Sequence, residues 1–381
     1  MNSPQITVIG AGFGAVTTIR QLRKQMPQAR ISLVAPEPTL QYFPSLIWVP
    51  AKKRNRHDIL VDLRPLLARL EVQFVPGRVV GVSDDARRVT VAQGESETII
   101  ENDGLVIASG GRFLKKLPGI EYAIAVCEGI DAAEQIRDRL AAMSGGTLAF
   151  GFGTNPHEPA AVRGGPMFEL LFGIDRLLRQ QGRRDKFELV FFNGAARPGN
   201  RLGEKAVDHL LARMQRLGIK THLGAKPIRF EADKVVTESG EFAADLILFM
   251  PGMTGPAWLP QSPFPVSSGG MIQAEATTAV PGFERVFVVG DSGSYPAPDW
   301  APKQAHMADL MAVAAAKNLA AAFAGRPVQA TFEWELICVM DMLDRAVLVF
   351  RNARRQFISP PCRLLHLAKR LFEWWYLRPI R

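Results

Sequence analysis

"ITVIGAGFGAVTTIRQLRKQMPQARISLVAPEP", residues Ile6 to Pro38, sets the fold of this chain. An apolar run, Ile6–Ile9, meets a glycine cluster at Gly10, Gly12 and Gly14, followed by a helical stretch and a second strand. The plan recurs in "TLAFGFGTNPHEPAAVRGGPMFELLFGIDRLLRQQGRRDKFELVFFNGA", Thr147 to Ala195, with a longer loop. A later apolar strand ending in a small-residue turn follows each copy: "DGLVIASGG" the first, "DLILFMPGM" the second. Continuous Val/Ile/Leu/Phe runs imply strands buried on both faces, hence parallel sheets covered by helices.

At 381 residues the chain can hold two or three cores. Hydrophobic content of 47 % and charged content of 22 % are those of a globular protein. Cys127, Cys338 and Cys362 are too scattered for a disulfide framework or a zinc site. The N-terminus runs straight into a strand without a signal pattern. The longest apolar stretch, "LMAVAAAKNLAAAFA", is broken by Lys317 and Asn318, so no membrane span is expected. The net charge is +9, and residues 351–381 hold eight Lys/Arg against one Glu. That asymmetry points to an anionic partner such as a membrane surface. Nucleic acid is not expected, because no matching fold motif is present.

Gly10-Ala11-Gly12-Phe13-Gly14-Ala15 fits G-x-G-x-x-A between a strand and a helix. Gly10 permits the tight turn, Gly12 the approach of a pyrophosphate, and Ala15 close helix–strand packing. The helix N-terminus then turns unpaired N–H groups toward the phosphates. The second strand ends with Ala35-Pro36-Glu37, so Glu37 is the acid placed to reach a ribose. "VFVVGDSG", with Gly290-Asp291, supplies a ribityl and pyrophosphate contact, and Ala108-Ser109-Gly110 a second turn on the same ligand. Together these select FAD over NAD.

With those motifs placed, the chain resembles the sulfide:quinone oxidoreductases, from its N-terminus nearly to its C-terminus. The likeness rests on "QYFPSLIWV" with Pro44, Ser45, Trp48 and Val49; on "AVCEGIDAAEQI" around Cys127; and on "APKQAHM", which makes Lys303 the lysine near the flavin pyrimidine. It rests also on "EWELICVMDMLDRAVLVF", carrying Cys338, and on "RLLHLAKRLFEWWYLRPIR", similar to a membrane-docking C-terminal helix. The resemblance implies an α/β fold of two tandem Rossmann-like dinucleotide-binding domains plus a C-terminal amphipathic membrane-docking region. The expected boundaries are 1–115 with 284–325 for the FAD domain, 116–283 for a second domain with a degenerate NAD site, and 326–381 for the quinone and membrane region. It further implies FAD-dependent oxidation of sulfide or another small sulfur donor and reduction of a membrane quinone. The protein would be peripheral (monotopic) at the inner, cytoplasmic membrane, with homo-oligomerisation left open.

One departure stands out. "RGGPMFE" keeps Gly165, Pro166 and Glu169 of the family loop, but Arg163 stands at or near the place of a catalytic cysteine. An insertion, "NPHEPA", lengthens the loop, and Ala132 or Ala133, and Asn200, stand where histidines often assist. The catalytic candidates are therefore Cys338, Cys127, Glu169 and Lys303. Cys338 is either an unreactive buried thiol or a flavin-proximal one activated by a cation such as Lys303. Cys127 is open to three readings: core residue, thioether link to FAD, or redox partner of Cys338. Glu169 is either a proton-handling acid or a carboxylate favouring its helix dipole. His157 and Glu158 either line a channel or lie on a solvated loop.

Projected as a helix, 363–376 separates into two arcs. Leu364, Leu365, Leu367, Ala368, Leu371, Phe372, Trp374, Trp375 and Tyr376 fall on one; Arg363, His366, Lys369, Arg370 and Glu373 on the other. Such a helix suits a bilayer interface, its alternative being a dock on the protein's own core or a dimer contact. The leading expectation is a sulfide:quinone-type flavoenzyme. Its rivals are a sulfide dehydrogenase with a cytochrome acceptor, a type II NADH:quinone dehydrogenase-like enzyme, and a non-catalytic flavin-binding membrane-associated protein. The last "ribose" strand ends in Asn193, not an acid, which counts against NADH.

Overall fold

The computed structural model describes residues 3–381. Its first sheet has five parallel strands in the order 286–288, 104–107, 5–9, 30–35, 72–76. Val8 sits between Leu33 and Val106, all three inaccessible to solvent. Burying each such side chain contributes about 1.5–3 kcal/mol, which is why a near-continuous apolar strand can lie in mid-sheet. The helix Phe13–Gln25 covers one face and packs along the alanine-rich helix Ala305–Phe323. Small residues bring these elements close: a Cβ on Gly14 would lie 2.9 Å from Val289 and 3.7 Å from Ala308. A three-stranded antiparallel sheet, 78–82, 88–93 and 96–101, completes this half.

The second half repeats the scheme. Five parallel strands run in the order 123–124, 246–250, 146–152, 187–193, 220–223, with an antiparallel trio at 227–230, 234–237 and 240–243. The helix Gly165–Gln180 covers its sheet through Met167, Phe168, Leu170, Leu171 and Ile174. The chain then forms an antiparallel sheet, 335–341, 346–352 and 356–358, whose Leu336, Met340 and Val349 join the same core. A last helix, Arg363–Leu377, lies across that sheet. The fold is thus the α/β arrangement with two Rossmann-like sheets that the sequence implies. Among the described residues, no helix is long and apolar enough to cross a membrane.

Candidate active site

Three strand ends meet at the carboxyl edge of the first sheet, where open α/β sheets bind ligands. Gly10 has φ +114°, and a Cβ there would stand 2.3 Å from the Ala108 carbonyl oxygen, so only glycine fits. Gly12 caps the Phe13–Gln25 helix with no side-chain hydrogen bond and no acid in the first turn, and a Cβ on it would meet nothing within 4 Å. The first N–H groups of this helix therefore face open space, which fits an anionic pyrophosphate. Gly110 has φ +71° and is equally open, and Ser292 Oγ donates to its carbonyl at 3.0 Å. Gly290, at φ +69°, turns the chain so that Asp291 borders the same space. Ala15 is buried, Pro36 and Glu37 are exposed at the rim, and Pro44 is half-buried at the start of the short helix Phe43–Trp48.

The corresponding crevice of the second sheet is filled. The inserted loop folds back onto it: Asn155 Nδ2 donates to Met253 O at 2.8 Å and Gly269 O at 2.9 Å, and Met253 N donates to Ala161 O at 2.9 Å. A Cβ on Gly252 would lie 2.3 Å from the Thr154 backbone, and one on Gly153 would lie 3.1 Å from the Phe249 ring. Asn193, where a ribose acid would stand, donates instead to Phe152 O at 2.8 Å. Glu158 is buried and accepts Ser267 Oγ at 2.7 Å and Ser294 Oγ at 3.0 Å, while His157 is exposed. Glu158 is thus a buried polar staple, which neither sequence reading describes, whereas His157 stands exposed as a solvated loop residue would.

Between the two sheets lies the loop that carries Arg163. Its guanidinium pairs with Asp291, lies 5.6 Å from the Phe43 ring centre and neighbours the Cys127 thiol. Cys127 is buried in the turn Val126–Glu128; burial pushes its thiol up to about 11 although Arg163 pulls the other way. Cys338, on strand 335–341, faces the N-terminus of the next helix, since a Cβ on Gly165 would stand 3.7 Å from its Sγ. Burial, then Glu169, push the Cys338 thiol up to about 12, with Lys369 opposing. The cation beside this thiol is therefore Lys369. The expectation of Lys303 is corrected: Lys303 Nζ donates to Gly293 O at 2.5 Å and lies 5.8 Å from the Tyr295 ring centre, and burial lowers its proton affinity. All three cysteines are free thiols.

Glu169 binds Lys369 and accepts the Asp341 backbone N–H at 3.0 Å. Burial raises its proton affinity, Lys369 lowering it in part. Lys369 belongs to the C-terminal helix, of whose polar arc His366, Lys369 and Glu373 face inward while Arg363 and Arg370 stay exposed. His366 Nδ1 lies 2.6 Å from the wholly buried Asp341, and Glu373 pairs with Arg54 at 2.6 Å. Asp341 also accepts Trp48 Nε1 at 2.9 Å. With His366, Lys369 and Glu373 inside, Leu364, Leu367, Leu371, Phe372, Trp374 and Trp375 are left 54–72 % exposed. Tyr376, expected on the apolar arc, turns inward and donates to Asp309 at 3.1 Å.

The family model of the pyridine nucleotide-disulphide oxidoreductases matches residues 4–312. The chain belongs to that family. It is a FAD-dependent oxidoreductase, and the likeness to sulfide:quinone oxidoreductases seen in the sequence is borne out. A sulfide-quinone reductase of Aquifex aeolicus is 25 % identical, over 99 % of this chain and 91 % of its own length. A type II NADH:quinone oxidoreductase of Staphylococcus aureus is also 25 % identical, over 91 % of this chain and 90 % of its own. Among solved structures, the sulfide:quinone oxidoreductase of A. aeolicus superposes with a TM-score of 0.87 at 23 % identity, covering 100 % of this chain and 92 % of that one. NDH2 of Plasmodium falciparum, in complex with NADH, gives 0.77 at 11 % identity, covering 100 % and 95 %.

Some residues of this oxidoreductase's site escaped the sequence reading. Arg201, in "PGNRLG", was not singled out, yet its Nη1 donates to Ala160 O and Ala301 O, both at 2.9 Å, and joins the loop to the Pro-Lys turn. The partners of the helical polar arc, Arg54 and Asp341, carry no local signal. The alternation of charge along the arc could only have announced that partners exist.

Proposed function

We propose that this oxidoreductase takes an electron pair from sulfide or a related sulfur species and delivers it to a quinone, working from one face of a membrane. The observation that carries this reading is the C-terminal helix, tied inward through His366, Lys369 and Glu373 with its apolar residues outward, next to Cys338 and Glu169. Six large exposed apolar residues on one helix are costly in water and favourable at a bilayer interface, where Trp side chains partition. Arg363, Arg370 and Arg378 are exposed on or just beyond that helix, in reach of anionic headgroups.

Gly10, Gly12, Gly14, Ala15, Ala108, Ser109, Gly110, Gly290 and Asp291 would hold FAD, with Pro36, Glu37, Pro44 and Lys303 at its borders. FAD supplies the two-electron chemistry that joins donor to quinone. Cys338, half-buried beside Glu169 and Lys369, is the thiol we assign to the sulfur donor, and bound FAD would supply the two-electron oxidation their joining needs. Glu169, with its raised proton affinity and its Lys369 partner, can hold or release a proton there. Cys127, whose thiol neighbours Arg163, would serve as resolving thiol or attachment point. The inserted loop packed over the second crevice counts against a nicotinamide dinucleotide there, which favours a sulfur donor over NADH.

Anaerobic titration of the holoprotein with sulfide tests the reading. Sulfide should bleach the flavin, and a soluble quinone should restore its colour faster than a cytochrome does. Cys338→Ser should abolish the bleaching, while Leu371→Asp with Trp375→Asp should release the protein from lipid vesicles without loss of flavin. Absence of bleaching by any sulfur donor would sink the proposal.

A further inference from the structure

The inserted loop carries a carboxylate into the interior, and a lysine with spare donors borders the same small cavity. Glu158 is 9 % exposed. Its oxygens accept Ser267 Oγ at 2.7 Å and Ser294 Oγ at 3.0 Å, one hydroxyl each, so each oxygen keeps acceptor capacity. Lys303 has three N–H donors and places one of them, on Gly293 O at 2.5 Å. Glu158, Ser294, Tyr295 and Lys303 line one cavity of about 10 Å3, whose wall Ala160 and Ala301 help to complete. That is room for a single water, and the lining offers it a donor in Lys303 and acceptors in Glu158 and Ser294. Glu158 and Lys303 make no direct hydrogen bond or ion pair. The other charged groups around Lys303 are Asp291, Arg163 and Arg201. Asp291 is taken by Arg163, and Arg201 bonds the carbonyl oxygens of Ala160 and Ala301. Tyr295, whose ring centre lies 5.8 Å from Lys303 Nζ, donates its hydroxyl to Val288 O at 3.0 Å and brings no charge. Glu158 is therefore the carboxylate of this group that has no cation of its own. Burial lowers the proton affinity of Lys303, and Asp291 and Glu158 oppose that loss.

We propose that Glu158 is a positioning residue for Lys303: through one water in this cavity it acts as the counter-charge that keeps the ammonium charged and fixed beside the flavin. The inference rests on the placement of Lys303 at the border of FAD proposed above, and not on the identity of the electron donor. It gives both departures of this loop one explanation. Arg163 brings a cation that occupies Asp291, and the insertion brings a carboxylate that takes over from Asp291 for Lys303. A positive charge held beside the flavin favours its electron-richer, reduced form, so Lys303 raises the reduction potential for as long as it keeps its proton.

The reduction potential of the bound flavin, measured on the FAD-loaded protein against redox dyes from about pH 6 to 10, reads the charge on Lys303 without turnover. Lys303→Met should lie below wild type at the acid end of that range. Glu158→Gln keeps the shape of the side chain and can bond both serines, but it carries no charge. It should match or exceed wild type at the acid end and fall toward Lys303→Met as the pH rises. Its downward break should come about one pH unit before that of wild type, a tenfold loss of proton affinity at the lysine. In the Lys303→Met background, Glu158→Gln should add at most a constant offset. A Glu158→Gln curve parallel to wild type throughout, or the same pH-dependent fall in the Lys303→Met background, overturns the inference while leaving Lys303 beside the flavin. Lys303→Met with the wild-type potential at every pH removes that placement, and this inference with it, without touching the sulfide titration. Should Glu158→Gln not retain flavin, a crystal structure of the wild-type holoprotein decides. One water within about 3 Å of both Lys303 Nζ and a Glu158 oxygen supports the bridge, and a dry or closed cavity rejects it.

Discussion

At the end of strand 5–9, a Cβ added to Gly12 would meet nothing within 4 Å; at the end of strand 146–152, one added to Gly153 would stop 3.1 Å from the Phe249 ring. Both turns lie between a parallel strand and a helix N-terminus. The first keeps its amides facing space, while the second has its crevice occupied by its own loop, fastened through Asn155, Ala161 and Glu158. A glycine turn therefore marks where a dinucleotide can bind, and the contents of the crevice decide whether one does.

The sharpest way to break this contrast is Gly10→Ala. It forces an L-residue to φ +114° and drives a Cβ against Ala108. Strain of about 1–3 kcal/mol at the very turn that cradles the cofactor should strip the protein of flavin. The absorbance ratio of flavin to protein after purification measures this, and a variant with full flavin would show that the first turn is not the cofactor's seat. Next in size is the donor test. NADH should bleach the flavin roughly a hundredfold more slowly than sulfide, the loss expected when about 3 kcal/mol of pyrophosphate contacts are missing. Comparable rates in stopped flow would mean that the loop vacates the second crevice.

The strand–glycine–helix pattern made the first turn legible, because every contributor lies within thirty residues or in a recognisable strand end. The plug in the second crevice was not. Phe249 and Gly252 are about a hundred residues from Gly153, and only the fold brings them together. The same holds for the last helix. Its two arcs were visible in the sequence, but which arc faces in depends on Arg54, Glu169 and Asp341, all distant along the chain. Cys338 was found from its surrounding segment, whereas its cation, Lys369, was misassigned to Lys303 because a lysine beside a proline turn has a sequence signature and a lysine on a distant helix has none.

A smaller effect sharpens the picture of the first half. Burial pushes the Asp309 carboxyl, which bonds Thr17 of the glycine-turn helix at 2.5 Å, up to about 6 from its ordinary 3.8. A carboxyl whose folded value is raised binds its proton more tightly in the folded state. It stabilises below pH 4, and that contribution is lost as the pH rises through 6. Asp309→Asn should therefore gain about 1–3 kcal/mol at pH 8 relative to wild type and little at pH 4, measured by denaturant unfolding. The smallest change is expected from Gly153→Ala. It should cost under about 1 kcal/mol and leave flavin content untouched, since the Phe249 ring need yield only slightly. Loss of flavin in that variant would erase the distinction between the two turns.

The strand 286–288 that borders 104–107 has a consequence for the order in which this protein is made. Every strand of the second sheet lies between residues 123 and 250, so that sheet can close while synthesis continues. The first sheet must wait. Gly290 and Asp291 leave the ribosome about 280 residues after Gly10, an interval of roughly 15–60 s at ordinary elongation rates. During it the glycine turn has no third wall and its apolar strand edge at 104–107 is unpaired. The second half, with its crevice already plugged, is thus positioned to fold first and present a finished surface on which the cofactor-binding half is completed.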